Sequence, residues 1–573
     1  MRYLVTLFFA VGLVGTMNAQ LSFTDAASSL GVSISYGDSE YGGGVSFVDF
    51  DGDGWDDLSF TSEDGQDLYF FKNNNGTFTA TTFPGVSHTG KTKQIQWIDY
   101  DNDGDKDLFV TAIIGANKFF RNDGGMSFTD ISSTIGFFQD DKDTYGASFG
   151  DIDNDGDLDA FISNRDGTAQ TQHNYLYRND GGTFVDITSS AGIVMSNEIT
   201  FCAVFFDYND DNLQDIYVAN DKTTNPNRLY KNNGDGTFED VSASSGAGIS
   251  IDAMTTTVGD YNNDGYFDIY VTNTPTHGNS LLQNQGNGVF VDVADATGTR
   301  MNSFAWGASF LDADFDGYID LFVSSSMDGS VSTFLSSAFY HQQSATNNFS
   351  IPTNIGFQND ENESYSNAVG DIDNDGKPDF AVVNDTDNNN LWHNTSTNSN
   401  NWLKIKLEGV TSNRDGVGNR IEIRANGTSQ YRYTHAGEGY LAQNSSYEFI
   451  GLADATTVEY VKITWKATGQ VETINNIDVN QAITVQEGNG ILSTSTAELV
   501  NFSVYPNPSN QGIYTISSTE SDLKVEVFDL AGRNVFSQQA VSNAIDLSSL
   551  TSGVYLAKFS SVNGTKTVKL VRN

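Results

Sequence analysis

Short apolar runs recur along the first four hundred residues at a nearly constant interval: DLSF, DLFV, DAFI, DIYV, DIYV, DLFV and DFAV. Each follows a nine-residue acidic stretch. Each stretch is itself preceded by another apolar run, such as IQWI before Asp99, AVFF before Asp207 and FAWGASFL before Asp312. β-Branched and aromatic runs on both sides of turn-forming residues predict an antiparallel hairpin with the acidic stretch as its loop. A second hairpin signal follows in FFRNDGGMSF, YLYRNDGGTF and RLYKNNGDGTF, where Asn, Asp and Gly suit turns that need positive φ. The predicted unit is therefore four antiparallel strands.

The acidic stretches are DFDGDGWDD, DYDNDGDKD, DIDNDGDLD, DYNDDNLQD, DYNNDGYFD, DADFDGYID and DIDNDGKPD, and their starts lie 50, 52, 56, 53, 52 and 59 residues apart. A period near fifty residues, filled by four strands, predicts an all-β fold built as a seven-bladed β-propeller over residues 20–400. Six blades with a decayed extra loop, or an open solenoid, are the competing readings of the same spacing. A terminal strand of the form FTDISSTIG (from Phe128), FVDITSSAG (Phe184), FEDVSASSG (Phe238) or FVDVADATG (Phe290) closes most units, with weaker forms at Phe78 and Phe349. After the seventh loop the pattern is missing, and its counterpart FTDAASSLG stands at Phe23. The N-terminal strand is thus expected to complete the last unit and leave no free edge.

Loop positions 1, 3, 5 and 9 carry carboxylates or Asn. They are Asp49, Asp51, Asp53 and Asp57; Asp99, Asp101, Asp103 and Asp107; Asp151, Asp153, Asp155 and Asp159; Asp207, Asn209, Asp211 and Asp215; Asp260, Asn262, Asp264 and Asp268; Asp312, Asp314, Asp316 and Asp320; and Asp371, Asp373, Asp375 and Asp379. Hard oxygen donors around a glycine turn, with the carbonyl of position 7 free, fit Ca²⁺; Mg²⁺ would prefer fewer protein ligands and more water. The strand-like flanks, and Phe60, Val110 or Ile162 where an EF-hand has Glu, exclude a helical calcium loop. Up to seven structural Ca²⁺ are expected. The fourth loop is the weakest, with Asn209 for Asp and Asn212 for Gly.

Composition sharpens this picture. The 573 residues hold 29 basic against 74 acidic side chains, a formal charge of -45, which excludes nucleic acid and anionic membrane surfaces as partners. Charged residues are only 18% of the chain while Phe and Tyr are plentiful, so this is no disordered acidic tail. The start, MRYLVTLFFAVGLVGTMNAQ, reads as a signal peptide over residues 1–19. No later segment is apolar enough to span a bilayer, so a transmembrane protein is not expected. The single Cys202 excludes an internal disulfide and a Cys-based zinc cluster.

The loops, with GAS ahead of them in YGASFGDIDNDG and WGASFLDADFDG, resemble the FG-GAP or VCBS repeats of integrin α-subunit propellers. Residues 401–488 resemble the ASPIC and UnbV domain that follows such propellers in cartilage acidic protein and its bacterial relatives. The match rests on GVGNRIEI from Gly416, GEGY near Gly437, IGLAD from Ile450, Asn480 and Glu487; WKATG from Trp465 departs from the family's Trp-Pro-x-Gly. Alternation in LKIKL, RIEIRA and VEYVKITW makes this block a β-sandwich-like domain on its own terms. Arg420, His435 and Glu438 are its candidate polar site, set against ordinary surface charge. After a linker at 489–499, residues 500–573 resemble a type A sorting domain of the type IX secretion system of Bacteroidetes, through YPNPS, VFDLAGR, DLSSLTSGVY and KTVKLVRN. That resemblance implies a second small β-sandwich, the type IX machinery as partner, and export to the medium or the cell surface.

If strand one runs toward the acidic loop, the irregular loops NRDGTAQTQHN, NDKTTNPN, NTPTHGN, SSSMDGSVS and NDTDNNN gather on the opposite face, where a ligand site is expected. Asn164, Asn220, Asn273 and Asn384 stand at equivalent places there, with His173 and His277 in the loops of units three and five. The asparagines read either as sugar ligands or as turn caps. HExxH, GxSxG and phosphate-loop motifs are absent from the sequence. The expected function is a secreted calcium-binding module that binds an extracellular glycan or protein in adhesion; the alternative is an enzyme acting on extracellular polysaccharide.

Overall fold

The computed structural model describes residues 21–573, apart from short stretches at 38–39, 139, 166–171, 197, 344–346, 358–359, 497–501, 519–522, 530–532, 542–543 and 562–563. The signal peptide expected at 1–19 lies outside the described residues. The described residues are all-β but for two four-residue helices at Ser242–Ser245 and Ala294–Thr297.

Residues 21–400 form seven antiparallel sheets of four repeat strands. The third is typical: Thr144–Gly150, Asp159–Asn164, Tyr175–Asn179 and Phe184–Asp186 pair in sequence order. Gly150 opposite Asp159 closes its hairpin at the acidic loop. The seventh sheet consists of Ser364–Gly370, Asp379–Asn384, Asn390–Asn394 and, as fourth strand, Phe23–Asp25, in register Phe23 opposite Asn394. Among the described residues no sheet closes on itself. The first strands of successive sheets pack side by side, and Ser364–Gly370 packs against Val45–Val48.

These first strands are buried along nearly their whole length, so small residues let neighbours approach. A Cβ on Gly370 would stand 2.5 Å from the Phe47 ring, and one on Gly150 would stand 2.7 Å from Phe205. Aromatic side chains fill the wedges between sheets. Phe23 meets Phe339, Phe357 and Phe380 with ring centroids 5.5, 5.0 and 5.3 Å away.

Residues 402–496 make two further sheets. Trp402–Glu408 lies between Tyr447–Gly451 and Gln481–Gln486, pairing parallel with the latter; Thr428–Tyr433, Arg420–Ala425, Thr457–Trp465 and Gln470–Asp478 form the other. They share one core that includes Leu403, Ile405, Ile421, Ile450, Ile463 and Trp465. The linker expected at 489–499 begins later than the sequence reading placed it. Gly490–Thr496 is an edge strand paired with Gln481–Gln486, reached through a turn with Gly488 and Gly490 at φ 75° and 72°. The Ser/Thr run that looked like a spacer suits a strand equally well. Residues 503–573 carry a three-stranded and a four-stranded sheet around Tyr514, Leu523, Val525, Ala557 and Phe559.

Phe23 is 3% exposed, so truncating it removes the apolar anchor of the strand that completes the seventh sheet. Phe23→Ala is expected to destabilise the 21–400 region by about 3–5 kcal/mol, read as a shift of its urea unfolding transition; a shift below about 1 kcal/mol would show that the strand adds little there.

Candidate metal loops

Each acidic loop organises its own backbone before it can hold anything else. In the third, the Asp151 carboxylate accepts the N–H groups of Asp155 and Gly156 at 3.1 Å each, and Asp155 accepts that of Asp157 at 2.9 Å. Asp159 accepts Ile152 N–H at 2.8 Å and Asn179 N–H, from the third strand, at 2.7 Å. The sixth position turns through the left-handed region, with glycine φ between 88° and 98° in six loops and Asn212 at 70° in the fourth. Asn tolerates that region better than other side chains, which is how the fourth loop keeps its shape without glycine.

Oxygens left over converge. One carboxylate oxygen from each of Asp49, Asp51 and Asp53 lies within 4.8 Å of the others, as do those of Asp99, Asp101 and Asp107 and of Asp151, Asp153 and Asp159. Asp51 Oδ1, Asp101 Oδ1, Asp314 Oδ1 and Asp371 Oδ1 are buried without a hydrogen-bond partner. Burial first, then the neighbouring charges of Asp51 and Asp49, pushes Asp57 up to about 9; burial and Asp101 push Asp107 up to about 9, and Asp151 and Asp260 rise to about 7. Crowded buried carboxylates that resist ionisation are a site short of positive charge. The donors fit a hard dication.

A second regularity escaped the sequence reading. The third strand of every sheet ends in a pair: Lys72-Asn73, Arg121-Asn122, Arg178-Asn179, Lys231-Asn232, Gln283-Asn284, His341-Gln342 and His393-Asn394. The first member stands beside the acidic loop; Lys72 contacts Asp51 and lies 3.0 Å from Asp53. In six of the seven the second ties its sheet to the preceding one, whereas Asn122 donates to Lys106 O within its own unit. Asn179 Nδ2 donates to Tyr100 O at 2.9 Å, Asn232 to Ile152 O at 2.7 Å, Asn284 to Tyr208 O at 2.8 Å and Asn394 to Ala313 O at 2.9 Å. Asn73 Nδ2 reaches Ile372 O at 2.9 Å, from first sheet to seventh. The repeated pair, basic or His then Asn in five of the seven sheets, was the signal available in the sequence.

The 402–487 region stands on these loops. Lys404 Nζ lies 2.7 Å from Asp371 Oδ2 and 3.1 Å from Asn374 Oδ1, and Lys466 Nζ lies 2.8 Å from Asp207 Oδ2 and 2.9 Å from Asn212 Oδ1; both lysines and both aspartates are almost fully buried. Lys466 belongs to the departing WKATG turn. Arg420 donates to Asp210 Oδ1 and to Gly265 O at 2.7 Å each, bridging the fourth and fifth loops.

The GEGY segment enters between the sheets. Ala442 and Gln443 pair parallel with Val45 and Ser46. Tyr440 is buried against Phe201 and Trp306 and donates to Tyr41 O at 2.6 Å. Gly437, at φ 80°, permits this entry: a Cβ there would stand 2.1 Å from Gln96 Nε2 and 2.5 Å from Ala147 O. The candidate polar trio divides accordingly. Arg420 is fixed to the loops, whereas His435 Nε2 and Glu438 Oε2 face each other inside at 3.9 Å.

At the other end, Asn164, Asn220, Asn273 and Asn384 are buried, and each amide serves its own sheet. Asn164 Nδ2 donates to His173 O, Asn220 Nδ2 to Pro226 O, Asn273 Nδ2 to Gly278 O and Asn384 Nδ2 to Asn388 O, at 2.6–2.9 Å. The His173 ring lies tilted against Tyr175 with centroids 4.5 Å apart, and His277 is exposed. A cavity of ≈ 320 Å³ opens nearby, lined by residues that include Tyr41, Lys91, Tyr145, Arg165 and Lys222. The Arg165 guanidinium lies 4.5 Å from the Tyr41 and Phe201 ring centres and pairs with Asp221 at 2.7 Å. Lys93 Nζ donates to Gly42 O at 2.7 Å, and burial pulls its ammonium down to about 7.

Among the described residues no helix is long and apolar enough to cross a membrane. The FG-GAP-like repeat matches residues 49–110, 99–162 and 207–271; ASPIC and UnbV matches 409–492; the secretion system C-terminal sorting domain matches 503–573. No curated protein matches the chain. Solved structures it is similar to include BBS1N in complex with ARL6DN (10% identity over 65% of this chain and 96% of that one, TM-score 0.39). Others are the Dos1 propeller (10%, 64% and 95%, TM-score 0.37) and the biofilm matrix protein Bap1 of V. cholerae (11%, 96% and 76%, TM-score 0.28). The chain carries FG-GAP-like repeats, an ASPIC and UnbV domain and a type IX C-terminal sorting domain, the last of which marks it for export to the cell surface or the medium.

Proposed function

We propose that the seven sheets are the blades of one closed propeller, that Ca²⁺ in the acidic loops rivets it, and that the exported protein is a binding and adhesion module for an extracellular glycan or protein. The observation that carries the calcium reading is the recurrence, loop after loop, of converging carboxylate oxygens around one left-handed turn. Oxygen-only donors of this number suit Ca²⁺. At free Ca²⁺ tenfold above each dissociation constant, a site contributes about 1.4 kcal/mol, so several together match the net stability of a whole domain.

The seventh blade's completion by Phe23–Asp25 and the side-by-side first strands support closure. In this reading the ASPIC and UnbV domain caps the acidic face, and the ligand is left the opposite mouth around Tyr41, Lys91, Arg165 and Lys222. Aromatic faces beside charged hydrogen-bonding groups suit a sugar ring. One observation favours the alternative of a polysaccharide-acting enzyme: Lys93, whose ammonium burial pulls down to about 7, lies 5.1 Å from the Tyr145 ring centre and so titrates in the range of a general base.

Chelating calcium is expected to lower the melting temperature, and an unchanged value would sink the structural-calcium reading. Protons compete for aspartates pushed up as far as Asp57 and Asp107. The stabilisation by calcium should therefore be larger at pH 8 than at pH 5.

Lys404→Met leaves Asp371 buried without its cation and is expected to cost about 3–5 kcal/mol in thermal or urea unfolding. Adding Asp371→Asn should recover part of that loss; equal losses in the single and double variants would mean the pair does not secure the cap.

A panel of acidic and neutral polysaccharides, scored for both binding and chain cleavage, tests the ligand reading. Binding without cleavage, weakened by Lys91→Ala or Lys222→Ala, is the expected result. Cleavage abolished by Lys93→Met would replace it with the enzyme.

A further inference from the structure

Five of the seven loops are flanked by Lys72, Arg121, Arg178, Lys231 or Gln283 at the penultimate place of the third strand, whereas the sixth and seventh have His341 and His393 there. In the sixth, the imidazole side chain is 6% exposed, and Nε2 has no hydrogen-bond partner. That nitrogen lies 3.3 Å from Asp314 Oδ2 and 4.0 Å from Asp320 Oδ1, and ligand atoms of the three residues fall within 4.8 Å of one another. Asp314 Oδ1 is likewise buried and unpartnered.

This loop is also enclosed. Phe315 stands where four other loops have Asn and stacks on Trp402 at 6.3 Å, while Asn398 and Asn400 donate to Asp314 O at 2.8 Å each. Asp312, Asp314 and Asp320 are all buried, and among the described residues none of them pairs with a lysine or arginine. Asp320 keeps only backbone partners, Ala313 N–H at 3.1 Å and Gln342 N–H at 2.9 Å. The seventh loop has the same residue types in Asp373, Asp379 and His393, but His393 is more exposed, and Lys377 and Lys404 already stand on Asp375 and Asp371.

We propose that Asp314, Asp320 and His341 form a mixed nitrogen–oxygen metal site that takes a first-row transition-metal dication in preference to Ca²⁺. Imidazole nitrogen is a good donor to such ions and a poor one to calcium, which takes oxygen ligands. Two carboxylates with one imidazole leave positions open for water, as such ions commonly require. The loop would then differ from its oxygen-only neighbours in kind. This inference rests on the reading that the acidic loops hold metal, and the test separates the two.

The full chain is stripped of metal, then reloaded with excess Ca²⁺ alone or with Zn²⁺ added, and its metal content is measured after dialysis. His341→Gln copies the fifth loop, where Gln283 holds the same place, so the variant keeps a neighbour set the protein already uses. The wild type is expected to retain Zn²⁺ against excess Ca²⁺, with an imidazole in the X-ray absorption shell of the bound zinc. His341→Gln is expected to retain one equivalent less while melting normally in calcium. Zinc displaced entirely by calcium, an all-oxygen zinc shell in the wild type, or equal zinc in wild type and variant overturns the proposal and leaves the calcium reading standing. Failure to retain either metal overturns both.

Discussion

Too many carboxylates in too little water is the constraint on which the rest of this structure depends. A carboxylate taken out of water must be neutralised, protonated or matched by donors, or the fold loses several kcal/mol for each. At positions 1 and 9 of every loop, backbone N–H groups supply part of that match, and in doing so they fix the turn. They cannot supply the net charge. A chain of formal charge -45 that concentrates aspartates at seven places under a covering domain therefore needs cations there, whether fixed on side chains or bound as ions.

The fixed cations account for much of the way the ASPIC and UnbV domain sits. Lys404 and Lys466 come from different sheets of that domain, yet each ends on the first aspartate of a loop and on a neighbouring Asn oxygen. Removing water from such a pair favours it only when the geometry is good and the remaining donors find partners. Both lysines meet that condition by making two contacts each. The fourth loop illustrates the exchange: where glycine gave way to Asn212, the new amide oxygen holds Lys466, so the loop that departs furthest from the others has a built-in cation.

Much of this was legible in the sequence, because repetition makes the pattern self-checking. The seven loops, the two strands around each and the displaced terminal strand at Phe23 could all be read from residues within one period. What could not be read depends on contacts between periods or between domains. Asn73 and its counterparts looked like hairpin-turn residues, since nothing local distinguishes an amide that caps its own turn from one that reaches the next sheet. The opposite holds for Asn164, Asn220, Asn273 and Asn384, which looked like ligands on a loop-rich face and are consumed by that face's own backbone. The strand Gly490–Thr496 was hidden because its small polar residues serve an edge strand and a spacer alike.

The role of the GEGY segment was invisible for a different reason, and it changes how the repeat sheets are held. Its glycine reads locally as a turn, whereas its role is to let a backbone pass Gln96 and Ala147 with no room for a Cβ. Once past, Ala442 and Gln443 add a short parallel strand to the first sheet, and Tyr440 fills the space among Tyr145, Phe201, Trp306 and Tyr365. Sheets held only by their neighbours' edges could part at any one contact. A segment bonded to Val45 and Ser46 at one side and to Tyr41 at its far end ties the ASPIC and UnbV domain between the repeat sheets as well as to their acidic loops. In the proposed reading this filling leaves the ligand the opposite side, around Tyr41, Lys91 and Lys222.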